Sequence, residues 1–312
     1  MTWAPLLLMG LLLWLTGCAG PAVRSIQPST THLPVRVHLT DVPFYAQEAL
    51  HCGPAALAMA LQWSGVDVGP DALAEQVYTP GRRGSFQSEL ITTTRRNGRV
   101  AYPINGLPCL LEAVAAGQPV VVFQNLGLGW LPRWHYAVVV GFDLDQRQVL
   151  MHTGKKAHRP LGMATFERTW RRADHWGLLV MKPSEIPVCA REHLYLQAAL
   201  GVQRADQLDA ALTAFRAAAR QWPRSVAAQV ALGNALYASG QRDAAAAAFG
   251  QATRMAPDNP AAFNNLAHVL AEQGALDDAE AAARHAVELG GPHSATYRQT
   301  LEEILTQMGE RP

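Results

Sequence analysis

Val42-Pro43-Phe44-Tyr45-Ala46-Gln47, then Glu48 to His51, then Cys52-Gly53-Pro54-Ala55-Ala56-Leu57-Ala58-Met59-Ala60-Leu61 carries an extended segment into an apolar, alanine-rich helix. Gly53 and Pro54 sit at the change of direction. Proline suits the first helical turn because it has no amide hydrogen to leave unpaired. Cys52 therefore falls at or just before a helix N-terminus. Free amides and the helix dipole favour an anion there, which predicts a lowered thiol pKa and a larger thiolate fraction. A thiolate is the nucleophile of cysteine catalysis. Gln47, a few residues upstream, carries a side-chain amide able to donate to an oxyanion at the same spot. The competing reading of such a cysteine is a small buried apolar residue.

Working outward, the next informative stretch is Trp134-His135-Tyr136-Ala137-Val138-Val139-Val140-Gly141-Phe142-Asp143, a strand signal with a histidine at its mouth. A cysteine followed at long range by a strand-borne histidine is the order of papain-like peptidases. With Gln47 and Cys-Gly-Pro-Ala-Ala-Leu, this stretch resembles the bacteriocin-processing (double-glycine leader) peptidases and their stand-alone relatives, over about Val42 to Pro187. The resemblance implies an α+β papain-like fold, Cys52 as nucleophile, His135 as base, and cleavage after small residues such as a double glycine. It also exposes a departure. Relatives place an aspartate near the end of the next strand to orient the imidazole. Here that region reads Val149-Leu150-Met151-His152-Thr153-Gly154, without a carboxylate. His152 is the nearest polar match for an orienter, weaker than a carboxylate because a neutral imidazole stabilises an imidazolium less; the alternative is a third residue from elsewhere in the chain. Gln47 also precedes Cys52 by five positions where the family more often has six.

Upstream, Leu6 to Leu15 is an apolar run broken by Gly10, too short to span a bilayer as a mature helix. It ends Leu15-Thr16-Gly17-Cys18, which resembles a bacterial lipobox, although no Lys or Arg precedes the run. Residues 1–17 then read as a signal peptide, Cys18 as the lipidated residue, and 18–34 as a polar tether. Ala19 and Gly20 lack the aspartate of an inner-membrane retention signal, so the periplasmic face of the outer membrane is the expected location. A plain secretory signal or an uncleaved anchor is the alternative. Cys109 and Cys189 remain, and an oxidising periplasm permits a disulfide whose distance the sequence cannot fix.

Within residues 35–187, helices precede the sheet. Strands are expected at Val35–Leu39, Pro119–Phe123, Ala137–Phe142, Gln148–His152 and Trp176–Met181, with further helices at Asp71–Val77, Gln87–Asn97, Leu107–Ala116 and Phe166–Arg171. Residues 80–84 form a flexible connector or rim. Trp130 and Trp134 either wall a substrate groove or cover the sheet edge.

Residues 192–312 follow another rule. Pro223 and Pro257, Leu232 and Leu266, and Gly240 and Gly274 are each 34 residues apart. Ala211, Phe215 and Ala218 return as Ala245, Phe249 and Ala252. This period with helix-length halves is the tetratricopeptide signature. It predicts repeats at about 192–225, 226–259 and 260–293 with a capping helix at 294–308.

The whole, at 312 residues and a net charge of +1, predicts two domains and no nucleic-acid surface. No Cys/His cluster has metal-ligand spacing, so neither metal nor cofactor is expected. The expected function is a lipid-anchored, periplasm-facing cysteine peptidase acting on a peptide or protein, with repeats for a protein partner. Two alternatives stand beside it: a peptide-binding adaptor that has lost its orienting acid, and a cysteine acyltransferase.

Overall fold

The computed structural model describes residues 32–47, 51–79, 81 and 84–310. The signal segment, the Cys18 box, most of the tether and part of the 80–84 connector lie outside the described residues. The chain divides into two compact units. The first comprises the chain up to Thr93 together with Pro103–Val180; the second comprises Thr94–Tyr102 and Met181–Pro312. The second unit thus takes a short piece from inside the expected first domain.

Residues 36–181 hold a seven-stranded sheet. Its strands are β1 (Arg36–His38), β2 (Val100–Asn105), β3 (Val120–Asn125), β4 (Trp134–Asp143), β5 (Gln148–Thr153), β6 (Lys156–Gly162) and β7 (Trp176–Met181), in the order β2-β7-β3-β4-β5-β6, with β1 added on β4. The valine run of β3 and the Tyr136–Phe142 run of β4 are buried, as continuous apolar strands must be when both faces are covered. The same stretch of chain carries the helices α1 (Cys52–Trp63), α2 (Pro70–Val77), α3 (Gln87–Arg96), α4 (Leu107–Ala115) and α5 (Met163–Arg171). α1 packs on β4 and is buried from Gly53 to Leu61, which explains its nearly unbroken alanine and leucine sequence.

Two strands escape a reading of the sequence, both at ends of the sheet. β6 reads Lys-Ala-His-Arg-Pro-Leu-Gly and is largely exposed; β2 holds Pro103. Edge strands need neither alternation nor an amide at every position, so proline and charge are tolerated there.

The second unit carries seven helices in series: α6 (Glu192–Gln203), α7 (Leu208–Gln221), α8 (Val226–Ala238), α9 (Arg242–Met255), α10 (Pro260–Glu272), α11 (Leu276–Leu289) and α12 (Ser294–Gly309). α6, α8, α10 and α12 begin 34 residues apart. Ser225 and Asn259 cap α8 and α10, accepting from the amides of Ala228 and Ala262 at 2.9 and 3.2 Å. Alanines let the paired helices approach closely, and Phe215 and Phe249 fill the space between them. No helix among the described residues is long and apolar enough to cross a membrane.

Candidate active site

Cys52 is the first residue of α1, and α1 rests on β4. Its thiol lies within hydrogen-bond reach of the Tyr136 backbone, next in sequence to His135. Gln47 is tied to the backbone of the same residue. Its Nε2 donates to the Tyr136 carbonyl at 3.1 Å, and its Oε1 accepts from the Gly154 amide at 2.8 Å. A main-chain bond from the Gln47 amide to the Gly154 carbonyl, 2.8 Å, completes the attachment. The buried glutamine is thus locked between β4 and the β5–β6 turn. One of its two amide hydrogens is spent on Tyr136, which leaves the other as a donor.

His135 is not oriented by His152. Its Nε2 lies 2.8 Å from the hydroxyl oxygen of Thr153. His152 is fully buried and turned the other way: its Nε2 bonds the Val42 carbonyl at 3.1 Å, and its Nδ1 accepts from the His158 amide at 3.1 Å. The reason is the period of two. Val138 stands opposite His152 and shares its face, whereas His135, three positions away from Val138, faces the opposite side with Thr153. Because Nδ1 of His152 accepts, its Nε2 carries the proton given to Val42. That histidine therefore pins the 42–47 segment, and with it Gln47, to the sheet; Phe44 packs edge-on against its ring at 5.3 Å. Gln124 donates to the Thr169 hydroxyl at 2.7 Å, and Asn125 holds the following turn.

A family model described as "Peptidase_C39 like family" matches residues 39–177, and a tetratricopeptide repeat model matches 196–241 and 230–293. Residues 39–177 thus form a C39-like domain, and tetratricopeptide repeats follow it. A putative C39-like peptidase from Bacillus anthracis is 22% identical, covering 47% of this chain and 98% of its own, with a TM-score of 0.42. The type III secretion translocator chaperone SycD of Yersinia enterocolitica is 22% identical over 38% of this chain and 85% of its own, with a TM-score of 0.35. A type III secretion complex from Aeromonas hydrophila is 21% identical over 38% of this chain and 84% of its own, at 0.37. No curated protein matches the chain.

In the C39-like domain, electrostatics run against the expected activated thiolate. Burial pushes the Cys52 thiol up from its ordinary value, more than the backbone hydrogen bonds from Tyr136, Gly53 and Cys52 itself pull it down. Burial, with the nearby Arg133 cation, lowers His135 to about 4. Both directions favour a neutral thiol beside a neutral imidazole. Cys109 and Cys189 are disulfide-bonded, leaving Cys52 as the free cysteine among the described residues. Thr153 was missed because a neutral hydroxyl carries no sign of an orienting role; only the strand register could have singled it out.

Proposed function

We propose that the C39-like domain hydrolyses peptide bonds through Cys52. His135 Nδ1 takes the thiol proton as sulfur bonds to the carbonyl carbon, and Thr153 holds the ring through Nε2. The free amide hydrogen of Gln47 and the main-chain amide of Cys52 face the developing oxyanion. His135 then gives its proton to the leaving amine as the carbon–nitrogen bond breaks. Water, deprotonated by the same imidazole, releases the acid from the thioester. The observation that carries this reading is the meeting of Cys52 and Gln47 on the backbone of Tyr136, beside a histidine already held by one ring nitrogen. Substrates with small residues before the scissile bond fit the family resemblance, and the repeats supply the surface for a protein partner. The disulfide-bonded cysteines accord with a periplasm-facing protein anchored through Cys18.

One observation favours a second reading. A raised thiol and a lowered imidazole suit a peptide-binding adaptor as well as a slow enzyme. A peptide aldehyde or vinyl sulfone probe separates the two. On the enzyme reading it labels Cys52, labelling falls sharply in His135→Ala, and fragments of envelope peptides disappear in Cys52→Ala. Peptide binding that survives Cys52→Ala with no fragments in either protein would establish the adaptor.

A further inference from the structure

The β3–β4 connection, Leu126-Gly127-Leu128-Gly129-Trp130-Leu131-Pro132-Arg133, is a hairpin extension whose apolar side chains face solvent. Leu128 and Leu131 bond each other's backbones at 3.1 and 3.2 Å, and the Leu126 amide bonds the Arg133 carbonyl at 2.8 Å. The Asn125 side chain accepts from the Gly127 and Arg133 amides, both at 2.9 Å. A side chain at Gly127 would strike the Leu131 carbonyl at 2.2 Å, so the hairpin closes this tightly only with glycine there. The tip is a built structure, and it is the most apolar exposed segment of the C39-like domain. Trp130 is 80% exposed, Leu131 61%, Trp134 53%, Leu128 50% and Leu126 45%. Leaving such a patch in water is unusual unless something covers it.

We propose that this hairpin dips into the interfacial region of a lipid bilayer with an anionic surface. Three observations favour a bilayer over other occupants. Exposure is greatest at the turn itself, so the surface is a convex tip suited to insertion, not a groove that would cradle a peptide. A tryptophan beside leucines is the side-chain set that partitions at the boundary between acyl chains and headgroups. The charges at its base are positive: Arg133 is exposed, exposed Arg172 donates to the Gly127 carbonyl at 2.6 Å, and no carboxylate occurs from Val120 to Phe142. Cations at headgroup depth beneath an apolar tip match an anionic leaflet. The inference draws further support from the proposed Cys18 anchor, which would keep the domain within a tether's length of lipid.

The test uses the full chain bound to vesicles of phosphatidylethanolamine and phosphatidylglycerol, some carrying brominated acyl chains. Subtracting the emission of Trp130→Phe from that of the unaltered protein isolates Trp130, and its 80% exposure makes that change harmless to folding. The expected result is blue-shifted Trp130 emission quenched by bromine, weaker on phosphatidylcholine vesicles. Leu128→Ser/Leu131→Ser, with Trp130 retained, should lower that quenched fraction about tenfold or more, from the loss of two buried leucines. Protein that floats with vesicles while Trp130 stays unquenched would overturn the hairpin proposal and leave the Cys18 anchor standing. Failure of the unaltered protein to float while added Trp130 quenching persists at high lipid would do the reverse. Emission shifted without vesicles, through self-association in sedimentation or by a peptide alone, also overturns the proposal.

Discussion

Replacing Thr153 by aspartate puts a carboxylate where a hydroxyl oxygen now stands 2.8 Å from His135 Nε2. The side chains are similar in size, so the change is chiefly one of charge. Burial and Arg133 hold His135 at about 4. An adjacent carboxylate raises a histidine by about one to three pH units. The balance between neutral pair and thiolate–imidazolium pair shifts by the same factor, about tenfold to a thousandfold toward the ion pair, because the proton moves from sulfur to a more basic nitrogen. The aspartate also removes an ambiguity, since a hydroxyl can donate to Nε2 or accept from it, whereas a carboxylate only accepts. With aspartate, Nε2 must carry a hydrogen and Nδ1 is the basic nitrogen.

The assay is the alkylation rate of Cys52 by iodoacetamide, read by mass spectrometry on the Cys52 peptide between about pH 4 and 10, with circular dichroism to verify folding. The unaltered protein should react appreciably only in the alkaline range. Thr153→Asp should gain a plateau of reactivity around neutrality, and adding His135→Ala should abolish that plateau. If the profiles of the unaltered protein, Thr153→Asp and His135→Ala superimpose, His135 does not communicate with Cys52 and the reasoning is refuted.

The remaining predictions concern stability and location. His135 is lowered from 6.5 to about 4, so below pH 6.5 the unfolded chain binds this proton more readily than the folded one; stability is full above that pH and is lost as pH falls toward 4. The loss from this residue should be about 2 kcal/mol by pH 5, seen as a falling urea midpoint that flattens in His135→Gln. Gly233→Ala should destabilise the repeats, because the new methyl would sit 2.5 Å from the ring of buried Phe249. Overpacking costs about 1–3 kcal/mol and outweighs the roughly 1 kcal/mol that alanine gains as a helix former; chemical denaturation measures the difference while Cys52 alkylation stays unchanged. Cys18→Ser should move the protein from the membrane to the soluble envelope fraction, and continued membrane retention would point to an uncleaved apolar anchor.

What could be read from the sequence was what local chemistry dictates. The Gly53-Pro54 step gives the start of α1, and the 34-residue recurrence of proline and glycine matches the pitch of the helix pairs. The glycine signal was incomplete for a physical reason. Gly240 and Gly274 occupy the left-handed region at the inter-helix turns, and 34 residues earlier Asp206 does the same with φ of 60°. Aspartate tolerates that conformation, so the first repeat hides its turn. β6 and β2 were hidden because edge strands are freed from the alternation that betrays a central one. His152 was misread for a third reason. Its residue type suited the missing role better than its neighbour's, but a one-residue slip in register exchanges the faces, and register is set by a bulge between Val139 and Gly141 that no residue pattern announces.

A hydroxyl, with no carboxylate, at Nε2 of His135 bears on how such a site would work. With the thiol raised and the imidazole lowered, the gap that a proton must cross from sulfur to nitrogen is widened from both ends. A resting thiolate is disfavoured, and Thr153 adds no negative charge to repay the imidazolium. Attack on a bound carbonyl changes the balance, because negative charge then develops on oxygen, facing the Gln47 and Cys52 amides, instead of on a buried sulfur. Proton transfer concerted with carbon–sulfur bond formation never forms the isolated thiolate that burial penalises. A site of this kind stays inert toward small diffusing electrophiles, and its reactivity appears only when a substrate fills the oxyanion position. In an oxidising compartment such inertness also protects the nucleophile, since oxidation of cysteine proceeds through the thiolate that this environment withholds.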